Sequence, residues 1–327
     1  MGRPVPARAL AKLLLMGILC FCEHHTLPQK ATKRHTVEVD LLHQKRSRPG
    51  APGDGLSRMS LNRVGRLLVV GLMVLIPLGC QGRMIHPAPR YVAGVVALLP
   101  AQIQPIVYRT SEGAQTSFSF VPSGPVPEHL WLVCSGNASY ALAWPELLAE
   151  YGDPQAGYLL LDYPGYGVNE GAGSPRALQD AAAAAVEAWR LHLGISRAEL
   201  DRRMGVLGHS LGAAAALQYA ALHPVQRIIV AAPFTTMVAM GHHVLFWPCG
   251  YLIWHRYDNV ARLEDIARQV PRPSLTIVHG DADTVIPVTM SAELAEPWPE
   301  WAHRQVIHGR THNNIAVDAV TLTNGAR

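Results

Sequence analysis

The chain has 327 residues, 49% of them apolar, with a formal net charge of +4 from 28 basic and 24 acidic side chains. That length and apolar content suit one large domain with its own core plus an extension outside it. Much of the basic excess falls in the first ninety residues, in runs such as Lys30-Ala31-Thr32-Lys33-Arg34 and Gln44-Lys45-Arg46-Ser47-Arg48, so neither a basic face on the folded part nor a nucleic-acid partner is expected.

Residues 1–58 hold an apolar piece from Leu13 to Cys22, then a polar His- and Arg-rich stretch without periodicity. They are expected to be a disordered leader, or an over-extended reading frame whose working start is Met59. Residues 59–80 carry the marks of a targeting segment: Arg63 and Arg66 precede an apolar run over 67–79, and Cys80 follows it. The run is shorter than the roughly 20 residues a membrane-spanning helix needs, but it suits the apolar core of a secretory signal. With a small residue before the cysteine, the segment resembles a bacterial lipoprotein signal lipidated at Cys80, although Pro77 stands where that pattern usually has leucine. Simple cleavage and a retained anchor are the alternatives, and all three imply an exported or membrane-associated protein. Of the five cysteines, at 20, 22, 80, 134 and 249, none forms a Cys-x-x-Cys pair, so no zinc site or disulfide framework is expected. Cys134 ends an apolar run and reads as a small buried strand residue.

From about residue 104 short apolar runs alternate with longer amphipathic stretches, the pattern of a mostly parallel sheet flanked by helices, and the fold class is therefore α/β. Strands are expected near Leu130 to Cys134, Tyr158 to Asp162, Met204 to Gly208, Arg227 to Ala232 and Ser274 to His279, each rich in Val, Ile or Leu and ended by Gly, Pro or Asp. Ser174 followed by Pro175 predicts the start of a helix running to Leu193, whose alanines at 181–185 fit close packing on a sheet.

Gly208-His209-Ser210-Leu211-Gly212 fits Gly-x-Ser-x-Gly, in which glycines relieve crowding at a sharp strand-to-helix turn that presents the serine. The pentapeptide alone arises readily by chance, but here an apolar strand precedes it and a helix-forming run, Ala213 to Tyr219, follows. Ser210 needs a base, because an undisturbed hydroxyl is a weak nucleophile. After the expected strand ending at His279, Asp281 and Asp283 both sit where the sheet's carboxyl edge gathers catalytic groups, and spacing leaves both open. Further on, His308 ends a short strand and reads as a wall or surface residue, whereas His312 lies where a loop enters the last helix and is the candidate base. In that arrangement the histidine deprotonates Ser210 as it attacks an acyl carbonyl, the acid holds the imidazole tautomer, and water releases the acyl-enzyme. The backbone N–H groups of Leu211 and of Asn137, in the loop Ser135-Gly136-Asn137-Ala138, are the expected oxyanion donors; an ordinary Gly-Asn turn is the alternative for that loop.

These motifs, with Asp162-Tyr163-Pro164-Gly165-Tyr166-Gly167, Pro233-Phe234-Thr235, His279-Gly280-Asp281-Ala282-Asp283 and Thr311-His312-Asn313, resemble the membrane-associated branch of the α/β-hydrolase family, the Bem46-like and ABHD-type hydrolases of acyl esters and thioesters. The resemblance covers about residues 100–322 and implies that the acid is Asp283 and the base His312. It departs from the family at Ser135, where a histidine usually stands. It also implies that the aromatic stretch over 234–265, with Phe246, Trp247, Tyr251, Trp254 and Tyr257, occupies the place of a lid suited to an apolar acyl chain, unless these rings simply cover the sheet. The expected partner is a small-molecule or lipid acyl substrate, with no cofactor or metal, because the three side chains supply nucleophile and base themselves. A non-catalytic lipid- or partner-binding homologue and a peptidase-like serine hydrolase are the competing functions.

Overall fold

All five expected strands occur in the computed structural model, which describes residues 81–122, 127–244 and 249–324. The leader, the targeting segment with Cys80, and Phe246 and Trp247 lie outside the described residues. Eight strands form one sheet in the order β1-β2-β4-β3-β5-β6-β7-β8, with β1 Ile103–Thr110, β2 Gly113–Phe120, β3 His129–Cys134, β4 Ala156–Leu161, β5 Met204–His209, β6 Arg227–Ala231, β7 Ser274–Gly280 and β8 Ala302–Ile307. The pairs β1–β2 and β2–β4 are antiparallel, and all others are parallel. The helices are α1 Pro145–Tyr151, α2 Pro175–Leu193, α3 Arg197–Arg203, α4 Leu211–Leu222, α5 Met237–Val244, α6 Asn259–Ala267, α7 Val288–Ala295 and α8 Ile315–Asn324.

The central strands read as unbroken apolar runs because both of their faces are buried. Along β3, Leu130, Leu132 and Cys134 join the core beneath α2, α4 and α6, while Trp131 and Val133 join the core shared with α1 and α8. Cys134 is fully buried, and burial pushes its thiol well above the ordinary range, as befits a packing residue. Helix α2 has the predicted bounds: the Ser174 side chain accepts from the Ala177 N–H at 3.1 Å, Pro175 opens the first turn, and Gly194 ends the helix at φ 66°. Its buried face, Ala177, Leu178, Ala181, Ala182, Ala185, Val186 and Trp189, recurs every three to four residues and lets the helix lie close to the sheet.

The β1–β2 hairpin escapes the apolar-run criterion for a physical reason. On β2 the buried positions include Gln115, Ser117 and Ser119; Ser119 Oγ accepts from Trp189 Nε1 at 2.9 Å, and Ser117 Oγ pairs with Tyr108 OH at 3.0 Å. Polar side chains buried in the core, the two serines hydrogen-bonded there, erase the hydrophobic alternation that normally betrays such a strand.

The folded body also reaches further back than the expected start near residue 100. Arg90 Nη1 donates to the Asn169 carbonyl at 2.7 Å, Gly167 N–H to the Pro89 carbonyl at 2.8 Å, and Tyr91 OH to the Asp162 carboxylate. Asp162, which follows β4 and is 1% exposed, also accepts from the Ala141 N–H at 2.7 Å, tying the N-terminal segment to the loop before α1.

Burial pushes the Asp162 carboxyl up to about 6, against the opposing pull of the bonds from Tyr91 and Ala141. Between about pH 4 and 6 the folded chain therefore keeps this proton while the unfolded chain has lost it, and the contribution of Asp162 to stability falls as pH rises through that window. Asp162→Asn, which can keep an acceptor for Ala141 and a donor for Tyr91, is expected to gain stability relative to the parent by roughly 1–3 kcal/mol on going from pH 4 to pH 7 in paired urea titrations. A constant difference across that range would refute the coupling.

Candidate active site

The topology itself creates the site. Strand β3 connects outward to β4, and the chain then crosses back to place β5 on the other side of β3, so the loops after β3 and β5 diverge at the carboxyl edge of the sheet and leave a crevice. Ser210 stands in that crevice between β5 and α4, with φ 57° and ψ −120°, a left-handed conformation that a non-glycine residue holds only at an energetic cost. Its backbone N–H is anchored on the Ala231 carbonyl at 2.9 Å.

The flanking glycines make this turn sterically feasible. A Cβ on Gly208 would lie 2.3 Å from the Gly212 carbonyl oxygen, and one on Gly212 would lie 2.0 Å from the Cys134 carbonyl oxygen at the end of β3. Leu211, the first residue of α4, has a backbone N–H with no acceptor inside its helix, at the end where the helix dipole is positive.

His312 enters from the loop after β8 and is nearly buried, at 9% exposure. Its Nε2 lies 3.0 Å from Ser210 Oγ, and its Nδ1 lies 2.8 Å from Asp283 Oδ2. Asp283 sits in the loop after β7, where its Oδ1 accepts from the Val285 and Ile286 N–H groups at 2.8 and 2.9 Å. Burial pushes this carboxyl up, but the bonds from His279, His312 and the Ile286 N–H, with the charge of His312, outweigh it and hold Asp283 well below the ordinary carboxylate range. Two loops meet here at close quarters: the Ala282 N–H donates to the Arg310 carbonyl at 3.1 Å, and a Cβ on Gly280 would lie 2.0 Å from that same oxygen.

The rival pair goes elsewhere. Asp281 accepts from His308 Nδ1 at 2.7 Å and from the Gly309 N–H at 2.7 Å, bracing the turn after β8, while the His308 side chain is 98% exposed. These two residues form a surface contact of their own, separate from Ser210.

The loop after β3 runs beside the serine: a Cβ on Gly136 would lie 3.5 Å from Ser210 Cβ and 3.0 Å from His209 Nδ1. The Ser135 hydroxyl accepts from Trp144 Nε1 at 2.9 Å, and the Ser135 carbonyl accepts from Tyr163 OH at 2.6 Å. Those bonds fix the loop after β3. Asn137 is half-buried, its Oδ1 is buried without a hydrogen-bond partner among the described residues, and Ala138 follows at φ 55°.

Two histidines adjoin the site without having been assigned a role from sequence. His209 lies within the elbow motif, and its Nε2 donates to the His312 carbonyl at 2.7 Å; burial, then the nearby His312, lowers it to about 4, so it is neutral near pH 7. His279 lies within the His-Gly pair at the end of β7, with Nε2 3.2 Å from Asp283 Oδ2. Both residue types were visible in the motifs, but nothing in the spacing told which way their rings face.

In the aromatic insertion, Tyr257 is buried and its hydroxyl meets His86 Nε2 at 3.2 Å, whereas Tyr251 and Trp254 are exposed. Tyr257 is thus a core residue. Among the described residues no group of three or more His, Cys, Asp or Glu is arranged to hold a metal ion, and no helix is long and apolar enough to cross a membrane.

Comparison with known proteins agrees with this architecture. A family model described as alpha/beta hydrolase fold matches residues 132–255. An uncharacterized protein of Mycobacterium tuberculosis is 30% identical over 271 residues, covering 78% of this chain and 91% of that protein. Among solved structures, a Pyrococcus furiosus esterase superposes with a TM-score of 0.51 at 15% identity, covering 72% of this chain and 90% of its own. A puromycin-hydrolyzing peptidase of Mycobacterium tuberculosis has a TM-score of 0.51 at 14% identity, covering 70% of this chain and 39% of its own.

The backbone contact at Gly212 is directly testable. Gly212→Ala is expected to destabilise the chain by more than about 3 kcal/mol in urea unfolding, because the added methyl meets backbone rather than a movable side chain. Gly194→Ala, at φ 66° with nothing within 4 Å of the added carbon, is expected to cost only about 1 kcal/mol. Similar losses in the two variants would contradict the steric account.

Proposed function

Because this chain belongs to the α/β-hydrolase family, we propose that it is a serine hydrolase that cleaves carboxylic esters or thioesters through an acyl-enzyme on Ser210. The observation that carries this is the continuous line from Ser210 Oγ through both ring nitrogens of His312 to Asp283, with contacts of 3.0 and 2.8 Å. In the proposed reaction His312 Nε2 accepts the Ser210 proton as Oγ attacks the acyl carbonyl. Asp283, hydrogen-bonded to Nδ1, selects the tautomer with its free lone pair toward the serine and stabilises the imidazolium that forms. Negative charge on the carbonyl oxygen is met by the N–H groups of Leu211 and Asn137, the first of them reinforced by the N-terminus of α4. Protonated His312 then hands its proton to the departing alkoxide or thiolate, and water deprotonated by the same nitrogen releases the acid.

The sequence motifs support a place in the Bem46-like and ABHD-type branch, with an acyl or lipid-like substrate. The run over 67–79 followed by Cys80 supports export or membrane tethering of the enzyme, with lipidation at Cys80 as the specific expectation.

The full chain is expected to react with a fluorophosphonate probe, and Ser210→Ala to abolish labelling while leaving the urea midpoint nearly unchanged. Ser210→Ala and His312→Ala are each expected to lower ester turnover by about a thousandfold or more. A series of esters and thioesters of rising acyl length, run beside peptide substrates, then defines the leaving group and pocket. A folded wild-type chain that neither labels nor turns over any of these points instead to a non-catalytic binding protein.

A further inference from the structure

We propose that His279 is a positioning residue that fixes the Asp283 carboxylate from the sheet side, so that its Oδ2 meets His312 in one orientation. The inference rests on the serine-hydrolase function proposed above and adds to it a fourth side chain, which contacts neither substrate nor nucleophile.

The geometry points to this role through the hydrogen-bond inventory of one carboxylate. Asp283 Oδ1 is held by two N–H groups, of Val285 and Ile286, which belong to the same loop as Asp283 itself. Asp281, Ala282, Thr284 and Val285 of that loop are exposed, so these bonds tie the acid to a solvent-facing segment. Oδ2, the oxygen that contacts His312 Nδ1, has His279 Nε2 as its other close neighbour, at 3.2 Å. His279 differs from the loop donors in where it stands: it is the penultimate residue of β7, paired with Val306 of β8, and fully buried. It therefore connects the carboxylate to the hydrogen-bonded sheet, not to the solvent-facing loop.

The tautomer follows from the partners. His279 Nε2 also lies 3.1 Å from the Ile286 carbonyl, which can only accept, so the ring proton belongs on Nε2, directed at that oxygen with Asp283 Oδ2 beside it. Nδ1 is buried without a partner among the described residues, and a proton placed there would be stranded while two acceptors lost their donor. Asp283 thus faces two histidines with opposite tasks. His312 changes protonation during turnover, whereas His279 is held as a fixed donor that keeps Oδ2 from rotating away while the charge on His312 comes and goes.

The test is a double-mutant cycle on the full chain, read as kcat and KM for an ester and as the rate of fluorophosphonate labelling. His279→Leu is expected to lower kcat and the labelling rate by about ten- to a hundredfold, the range that one hydrogen bond to a charged group carries, with little change in KM. His279→Gln, whose amide can reach the place of Nε2, is expected to recover most of that loss; His279→Asn, whose amide stops short at the place of Nδ1, is not. In an Asp283→Ala background His279→Leu is expected to add nothing, since the residue acts only through that carboxylate. Wild-type rates in His279→Leu, or a loss of equal size in the Asp283→Ala background, overturn the proposal. If the leucine variant does not fold, the glutamine and asparagine variants decide, and equal rates in those two overturn it as well. A wild-type chain inert to probe and esters removes the hydrolase function and this inference together, whereas an active wild type with indifferent His279 variants removes the inference alone.

Discussion

The carboxyl edge of the sheet depends on how closely the turn after β5 approaches the end of β3. With a Cβ on Gly212 falling 2.0 Å from the Cys134 carbonyl oxygen, and one on Gly208 2.3 Å from the Gly212 carbonyl oxygen, the chain has room for backbone and nothing more. That contact lets α4 start immediately after β5, puts Ser210 at a positive φ on the crest of the turn, and brings the serine beside the Gly136 loop. The cost of the strained serine is met by its surroundings, chiefly the bond from its N–H to the Ala231 carbonyl and the burial of nearly all of α4 between sheet and helices. A looser turn would separate the serine from the loop that is proposed to complete its oxyanion site.

The partners of the serine arrive by a different route. They stand on loops after β7 and β8, which are adjacent in the sheet and far from β5 in sequence, and they are joined to each other by backbone: Ala282 N–H to the Arg310 carbonyl, with Gly280 packed on the same oxygen. His209 then links the two halves, its Nε2 donating to the His312 carbonyl from within the elbow itself. The site is therefore braced at three levels, by strand pairing, by backbone contacts between loops and by the His209 and His279 side chains. Each level removes freedom that the Ser210, His312 and Asp283 side chains would otherwise have, which is the physical content of preorganisation.

The legible parts of the fold were those in which burial is two-sided. Strands β3 to β7 and helix α2 announce themselves because a strand covered on both faces must be apolar at every position, and a helix packed on a sheet must repeat its small residues every three to four. The β1–β2 hairpin was missed because Gln115, Ser117 and Ser119 are buried polar residues, the two serines hydrogen-bonded to Tyr108 and Trp189, a pairing that no local pattern records. The segment before residue 100 was missed for a related reason: it is held by Arg90, Tyr91 and His86 through bonds to residues 71 to 171 positions away. Within the aromatic stretch residue type did not tell position, since Tyr257 is a core residue while Tyr251 and Trp254 are exposed.

By itself the sequence determined strands β3 to β7 and helix α2, the glycine-flanked serine, and a short list of acids and bases on the loops downstream, because each of these is written in local composition and spacing. It did not separate Asp283 from Asp281 without the family resemblance, for the two stand two residues apart in one loop. Only the tertiary structure decided that Asp283 turns inward to His312, His279 and two backbone N–H groups while Asp281 turns outward to His308, and that His209 faces the site. The reason is that side-chain direction at the end of a strand is set by what the neighbouring strands and loops leave open, and those neighbours are contributed by chain segments dozens of residues away.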